Sequence, residues 1–104
     1  MYKKTNITEM NVQGFNFEGP YLLDANFNEV PAVYLISDQN NKPIDVGQTD
    51  NLKNRIPNHE RTNCWLRSAN GQVHVYCLVD SSEENRENIE RNIRNSHSFS
   101  CGVF

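Results

Sequence analysis

Apolar residues in this chain fall into short runs separated by longer polar stretches, and the period of the runs changes along the sequence. "AVYLIS" (32–37) and "IDVG" (44–47) are rich in β-branched and aromatic residues, with the polar stretch "DQNNKP" (38–43) between them. Two such runs around a polar turn predict a β-hairpin, with a loop longer than the two-residue ideal. "QVHVYCLV" (72–79) predicts a third strand. Nearer the start, Phe15 and Phe17 alternate with polar residues in "FNFEGPY" (15–21) until Gly19 and Pro20 interrupt the pattern. That reads as a short edge strand and a turn. Residues 1–13 are polar and are expected to be loose.

Two stretches carry a helical period. Leu52, Arg55, Ile56 and His59 fall at i, i+3, i+4 and i+7, on one face. Thr49 and Asp50 offer side-chain oxygens to cap that helix, and Pro57 predicts a kink or an early end. "SSEENRENIERNIRNS" (81–96) starts with Ser81 and has Glu84 three residues on, a capping-box pattern. Ile89 and Ile93 supply its core stripe, and Glu87 and Arg91 are spaced as an outer i,i+4 pair. The final "FSCGVF" suits a short strand or an extended segment. The order strand, hairpin, helix, strand, helix, tail predicts an α+β domain with a small, mainly antiparallel three-stranded sheet flanked by helices.

The chain has 104 residues and 37% hydrophobic content, enough for one domain with a modest core. A formal net charge of −3 argues against a general nucleic-acid coat protein and leaves room for a local basic patch. No apolar run reaches the roughly 18 residues of a membrane span, and the polar residues after Lys4 do not suit a secretory signal. Cys64, Cys77 and Cys101 are odd in number and contain no CxxC, which predicts buried unpaired thiols and a cytoplasmic setting.

Several polar residues sit where apolar ones are expected. Asp45 lies between Ile44 and Val46, just before Gly47. Arg55 and His59 share the face that carries Leu52 and Ile56, either as site residues or as long side chains reaching past the core edge. Glu90 lies between Ile89 and Ile93 with Arg86 and Arg94 one turn to either side, which also suits an ordinary ion pair. Tyr34 is either a core aromatic or a site hydroxyl. His59 with Cys64, and His97 with Cys101, have spacings that a structural zinc would tolerate only loosely.

In order along the chain, these pieces resemble the GIY-YIG nuclease family. "AVY" (32–34) stands where that family has its first motif and "DVG" (45–47) where it has its second. "GQTDNLKNRI" (47–56) resembles the family's turn and helix, which places its arginine at Arg55 and its histidine at His59. "IERNIR" (89–94) resembles the segment with the metal-binding glutamate, which falls on Glu90. Residues 31–104 would then form a GIY-YIG-like domain, and residues 1–30 an N-terminal extension with the short edge strand. The sequence departs from the family in three ways. Ala32 replaces a glycine, Asp45 replaces the second tyrosine, and the asparagine near the family's C-terminus has no clear equivalent.

The resemblance implies metal-dependent hydrolysis of a phosphodiester, with Tyr34, Asp45, Arg55, His59 and Glu90 as catalytic candidates. Glu90 and Asp45 would hold Mg2+ or Mn2+. Gln48, Lys53, Arg55 and Arg61 would contact nucleic acid, DNA rather than RNA, with a second copy or a protein partner for targeting. Asp45 admits three readings: a second site carboxylate, the mark of a site that binds without cutting, or an edge residue paired with Arg55 or Lys42. The rival function is a catalytically inactive nucleic-acid-binding or regulatory module on the same scaffold.

Overall fold

The computed structural model describes residues 8–102. They form one antiparallel sheet of five strands, two short helices and one long one. The strands are β1 (Thr8–Val12), β2 (Phe15–Leu22), β3 (Ala32–Asp38), β4 (Pro43–Thr49) and β5 (Val73–Val79). The helices are α1 (Leu52–Arg55), α2 (Thr62–Ser68) and α3 (Glu83–Ser96). The sheet order is β1-β2-β5-β3-β4.

The α+β class and the antiparallel sheet agree with the sequence reading, but the predicted three strands are five. Phe15–Leu22 is not an edge strand, because it pairs with β5 on one side and β1 on the other. β1 escaped prediction because "TEMNV" has too few apolar residues to show alternation. Phe17, Tyr21 and Phe27 enter the same cores as β3 and β5, so the sheet runs unbroken across position 30. Residues 1–7 of the expected extension lie outside the described residues.

All seven residues of β3 are buried, because both faces of the sheet are covered. Its alternation divides two cores. Ala32, Tyr34 and Ile36 pack with Leu52, Ile56 and Trp65. Val33 and Leu35 point the other way, to Val46, Ile89, Ile93 and Phe99. The polar turn between β3 and β4 is held by Asp38, whose Oδ1 accepts the amides of Asn40 (2.9 Å) and Lys42 (3.0 Å). Its Oδ2 accepts the amide of Asn70 (2.9 Å), and these bonds, that of Asn70 foremost, lower the carboxyl's pKa.

α1 ends early, at Arg55, so Pro57 falls after the helix instead of inside it. Its N-cap is Asn51, not Thr49 or Asp50, and Asn51 accepts the amide of Asn54 (3.2 Å). α3 likewise starts one residue later than its pattern, on Ser82, which accepts the amide of Asn85. Arg91 donates to Asn88 at 3.0 Å. Residues 97–102 form no strand, but the Cys101 amide donates to the Ile44 carbonyl (2.9 Å) and so covers the outer edge of β4.

The cysteine reading is overturned. Cys64 and Cys101 form a disulfide across 37 residues, and Cys77 is a buried cysteine outside that disulfide. The odd count hid this pair, and the inference of a reducing compartment drawn from unpaired thiols loses its basis. The bond also consumes the two cysteines that the zinc alternative required. No described helix is long and apolar enough to cross a membrane.

Candidate functional site

The site grows from the pairing of β3 with β4. Tyr34 lies opposite Gly47, and Ile36 opposite Asp45. The Tyr34 ring lies across Gly47 so closely that a Cβ there would stand 2.3 Å from the phenolic oxygen. The glycine after Asp45-Val46 is therefore room for a tyrosine. That tyrosine is fully buried and reaches His59, with 2.7 Å between Oη and Nε2.

His59 follows α1 and is buried against Trp65 of α2, their ring centroids 4.3 Å apart. Burial, with Arg55 and Arg61 nearby, pulls its pKa down to about 4, so the imidazole is neutral at pH 7. Its Nδ1 accepts the backbone N–H of Arg61 at 3.1 Å. A neutral imidazole has a single N–H, so the proton sits on Nε2 and is donated to the Tyr34 oxygen. The Tyr34 proton then points elsewhere. Burial raises the Tyr34 pKa despite the opposing Arg55 guanidinium, which keeps it a phenol. Tyr34 and His59 are thus two hydrogen-bond donors in series.

Asp45 has no exposed surface, and a carboxylate removed from water needs cations and donors. It has both. Oδ2 accepts Arg61 Nε and Trp65 Nε1, each at 2.7 Å. Oδ1 accepts Arg94 Nη2 at 2.7 Å, the Val46 amide at 2.8 Å and Arg61 Nη2 at 3.3 Å. Five donors fill about four lone-pair positions, so as placed Asp45 has none to offer a metal ion. Its partners are Arg61 and Arg94, not the Arg55 or Lys42 of the paired-edge reading. The same Arg94 nitrogen also reaches the Val46 carbonyl. Asp45 therefore joins the α1–α2 connection to α3 around the edge of β4.

Arg55 forks onto Glu60 at 2.6 and 3.0 Å, on the surface. That pairing holds the Glu60 carboxyl down to about 2. Glu90 is half-buried on α3, in the field of Arg94, Arg61 and Asp45. Burial raises its pKa. Tyr34, Arg55 and His59 thus lie together on the α1–α2 face and Glu90 lies on α3 near Arg94, with Arg61 and Asp45 connecting the two groups around the edge of β4.

The expected nucleic-acid contacts divide. Arg55 and Arg61 lie among these groups. Lys53 is exposed on α1. Gln48 turns toward α3, where it accepts from the buried Arg86 (2.9 Å). Sequence reasoning missed Arg94 and Trp65 as partners of Asp45. An aspartate between two β-branched strand residues signals a need for cations, but it cannot name them.

For a divalent ion, the donor set fits Glu90 and not Asp45. No group of three acidic, histidine or cysteine ligands exists among the described residues. Magnesium bound through one carboxylate, its own waters and a substrate phosphate needs no such group. Compared with protein-family models, with curated proteins and with solved structures, the chain matches none.

Proposed function

We propose that this domain binds the phosphodiester backbone of nucleic acid and hydrolyses it with a divalent ion held at Glu90. The observation that carries the reading is that Arg61 lies both beside the tyrosine–histidine donor pair, which Arg55 also faces, and near the half-buried carboxylate of Glu90, which Arg94 also faces. The ordered resemblance to GIY-YIG nucleases supports it, and so does the central β4-β3-β5 arrangement that gathers the motifs.

Each side chain then has a role. Arg55 exchanges the Glu60 carboxylate for a phosphate, which its fork matches equally well. Tyr34 is buried and acts through His59, whose imidazole it holds beside Arg55 and Arg61. Asp45 positions Arg61 and Arg94 and stays out of the chemistry. Glu90 would hold the divalent ion, which would supply Lewis acidity toward a phosphodiester. DNA is the preferred substrate class, with a second copy or a protein partner for targeting.

The second reading, a module that binds without cutting, draws on the same Asp45. Where the resemblance expects a second hydroxyl, the chain has a carboxylate saturated by arginines. One experiment separates the readings: cleavage and binding of a labelled DNA duplex in magnesium or manganese by the parent, Glu90→Ala and Arg55→Ala. A nuclease loses cleavage by about a hundredfold or more in Glu90→Ala while retaining binding. Equal trace cleavage by parent and Glu90→Ala, with binding lost only in Arg55→Ala, establishes the module.

A further inference from the structure

The segment after α3 lies directly on the arginine cluster. Gly102 is so close that a Cβ there would stand 2.7 Å from Asp45 Oδ1, 3.0 Å from Arg94 Nη2 and 3.2 Å from Arg61 Nε. Its φ of +75° is one that few other residues adopt readily. The Cys101 carbonyl accepts from Arg94 Nη1 at 3.4 Å. Phe99 lies under the Arg94 guanidinium, 5.2 Å from its ring centroid. One donor that would serve an anion, Arg94 Nη1, is thus occupied by the chain's own segment, and Gly102 lies against both guanidiniums. Beyond Phe99, that segment is tied down by the Cys101–Ile44 hydrogen bond and by one covalent link, the Cys64–Cys101 disulfide.

We infer that Cys64–Cys101 is a thiol–disulfide exchange site whose state decides whether the Arg61–Arg94 pair is open to an anionic ligand. That the ligand is a nucleic-acid phosphate rests on the function proposed above; the exposure of the arginines does not. Cys101 is buried and Cys64 only half-buried, so an incoming thiolate meets Cys64 Sγ first. Attack there forms a mixed disulfide and expels Cys101 as a thiolate, which can accept from Ser68 Oγ, 3.6 Å from Cys101 Sγ. The second thiol of a dithiol reductant then displaces Cys64. The reductant leaves as its own disulfide, and both cysteines gain an electron and, from water, a proton. With the link gone, only noncovalent ties remain to hold the segment: the Cys101 amide on Ile44, the Arg94 bond to the Cys101 carbonyl, Ser68 Oγ beside Cys101 Sγ, and the packing of Phe99 and Cys101. Release frees Arg94 Nη1 and uncovers more of both guanidiniums, while Asp45 still holds Arg61 Nε and Nη2 and Arg94 Nη2 in place.

The test compares the full chain oxidised, the same chain after dithiothreitol, and Cys101→Ser. Two readouts are taken: labelling of Arg61 and Arg94 by phenylglyoxal, read by mass spectrometry, and affinity for a labelled DNA duplex at low salt. Reduction is expected to raise labelling of both arginines severalfold and to tighten DNA binding about tenfold, the value of one freed charge-assisted hydrogen bond. Cys101→Ser is expected to match the reduced chain with or without dithiothreitol. Gly102→Ala, kept oxidised, is a second route that leaves both cysteines intact and displaces the segment by the collision described above. Labelling that does not change on reduction overturns the exchange site. Labelling that rises while DNA affinity stays the same overturns the gating of DNA. DNA binding absent in every state, with labelling still rising, overturns the nucleic-acid reading and leaves the exchange site standing.

Discussion

The two faces of β3 are built on opposite principles. Toward α3, Val33 and Leu35 meet Val46, Ile89, Ile93 and Phe99 in an apolar contact. Toward α1 and α2, Tyr34 and its neighbour Asp45 on β4 meet His59, Trp65 and Arg61 through hydrogen bonds of 2.7 to 3.3 Å. The first face depends on volume and tolerates changes that conserve it. The second depends on donors and acceptors matching one by one, and a group left over in its interior is costly. A few successive residues of one strand thus serve a forgiving core and an exacting one.

The largest effect is expected where that contrast is sharpest. Asp45→Ala leaves Arg61, Arg94 and the Trp65 N–H without their acceptor, and should cost about 4 kcal/mol in urea unfolding. Asp45→Asn, nearly identical in shape, should approach the same loss because the charge is what matters. A mild effect of Asp45→Asn would place the exacting core closer to the forgiving one.

On the other face, Ile93→Ala should cost about 3 kcal/mol by leaving a cavity. Ile93→Val should cost only about 1 kcal/mol. Both should leave the His59 titration, followed by NMR, unchanged. A shift in that titration would show that the two cores are coupled across the sheet.

Gly47→Ala comes next, at about 2 kcal/mol for overpacking. Its sharper signature is local. Pushing Tyr34 away loosens the pocket around His59, so the His59 pKa should climb from about 4 toward 6.5.

The last effect is a dependence of stability on pH. Unfolded His59 takes up a proton as pH falls through about 6.5, but folded His59 does so only near about 4. Between those values the unfolded chain holds more protons, so His59 favours the fold above pH 6.5 and loses that stability as pH drops toward 4. Glu60, depressed to about 2, acts in the same direction at lower pH. Glu90, raised by burial, acts oppositely and weakens the fold as pH rises past 4.5. Unfolding measured between pH 7 and 4.5 should show the loss, and His59→Gln should flatten it.

Much of this was written locally. The hairpin, β5 and α3 show in the chain because each has a strong hydrophobic period, and Pro57 foretold the short α1. Even the odd placement of Asp45, Arg55, His59 and Glu90 was visible, because a polar residue at an apolar position stands out without any structure. β1 was not legible, because an edge hairpin draws its stability from the strand beside it and not from its own five residues. Neither were the partners of Asp45, which come 16, 20 and 49 positions later, nor the pairing of Cys64 with Cys101. A sequence states that a buried carboxylate needs cations and that a cysteine can bond. Only the folded chain decides which groups arrive, because that depends on distances across a sheet edge that no local pattern encodes.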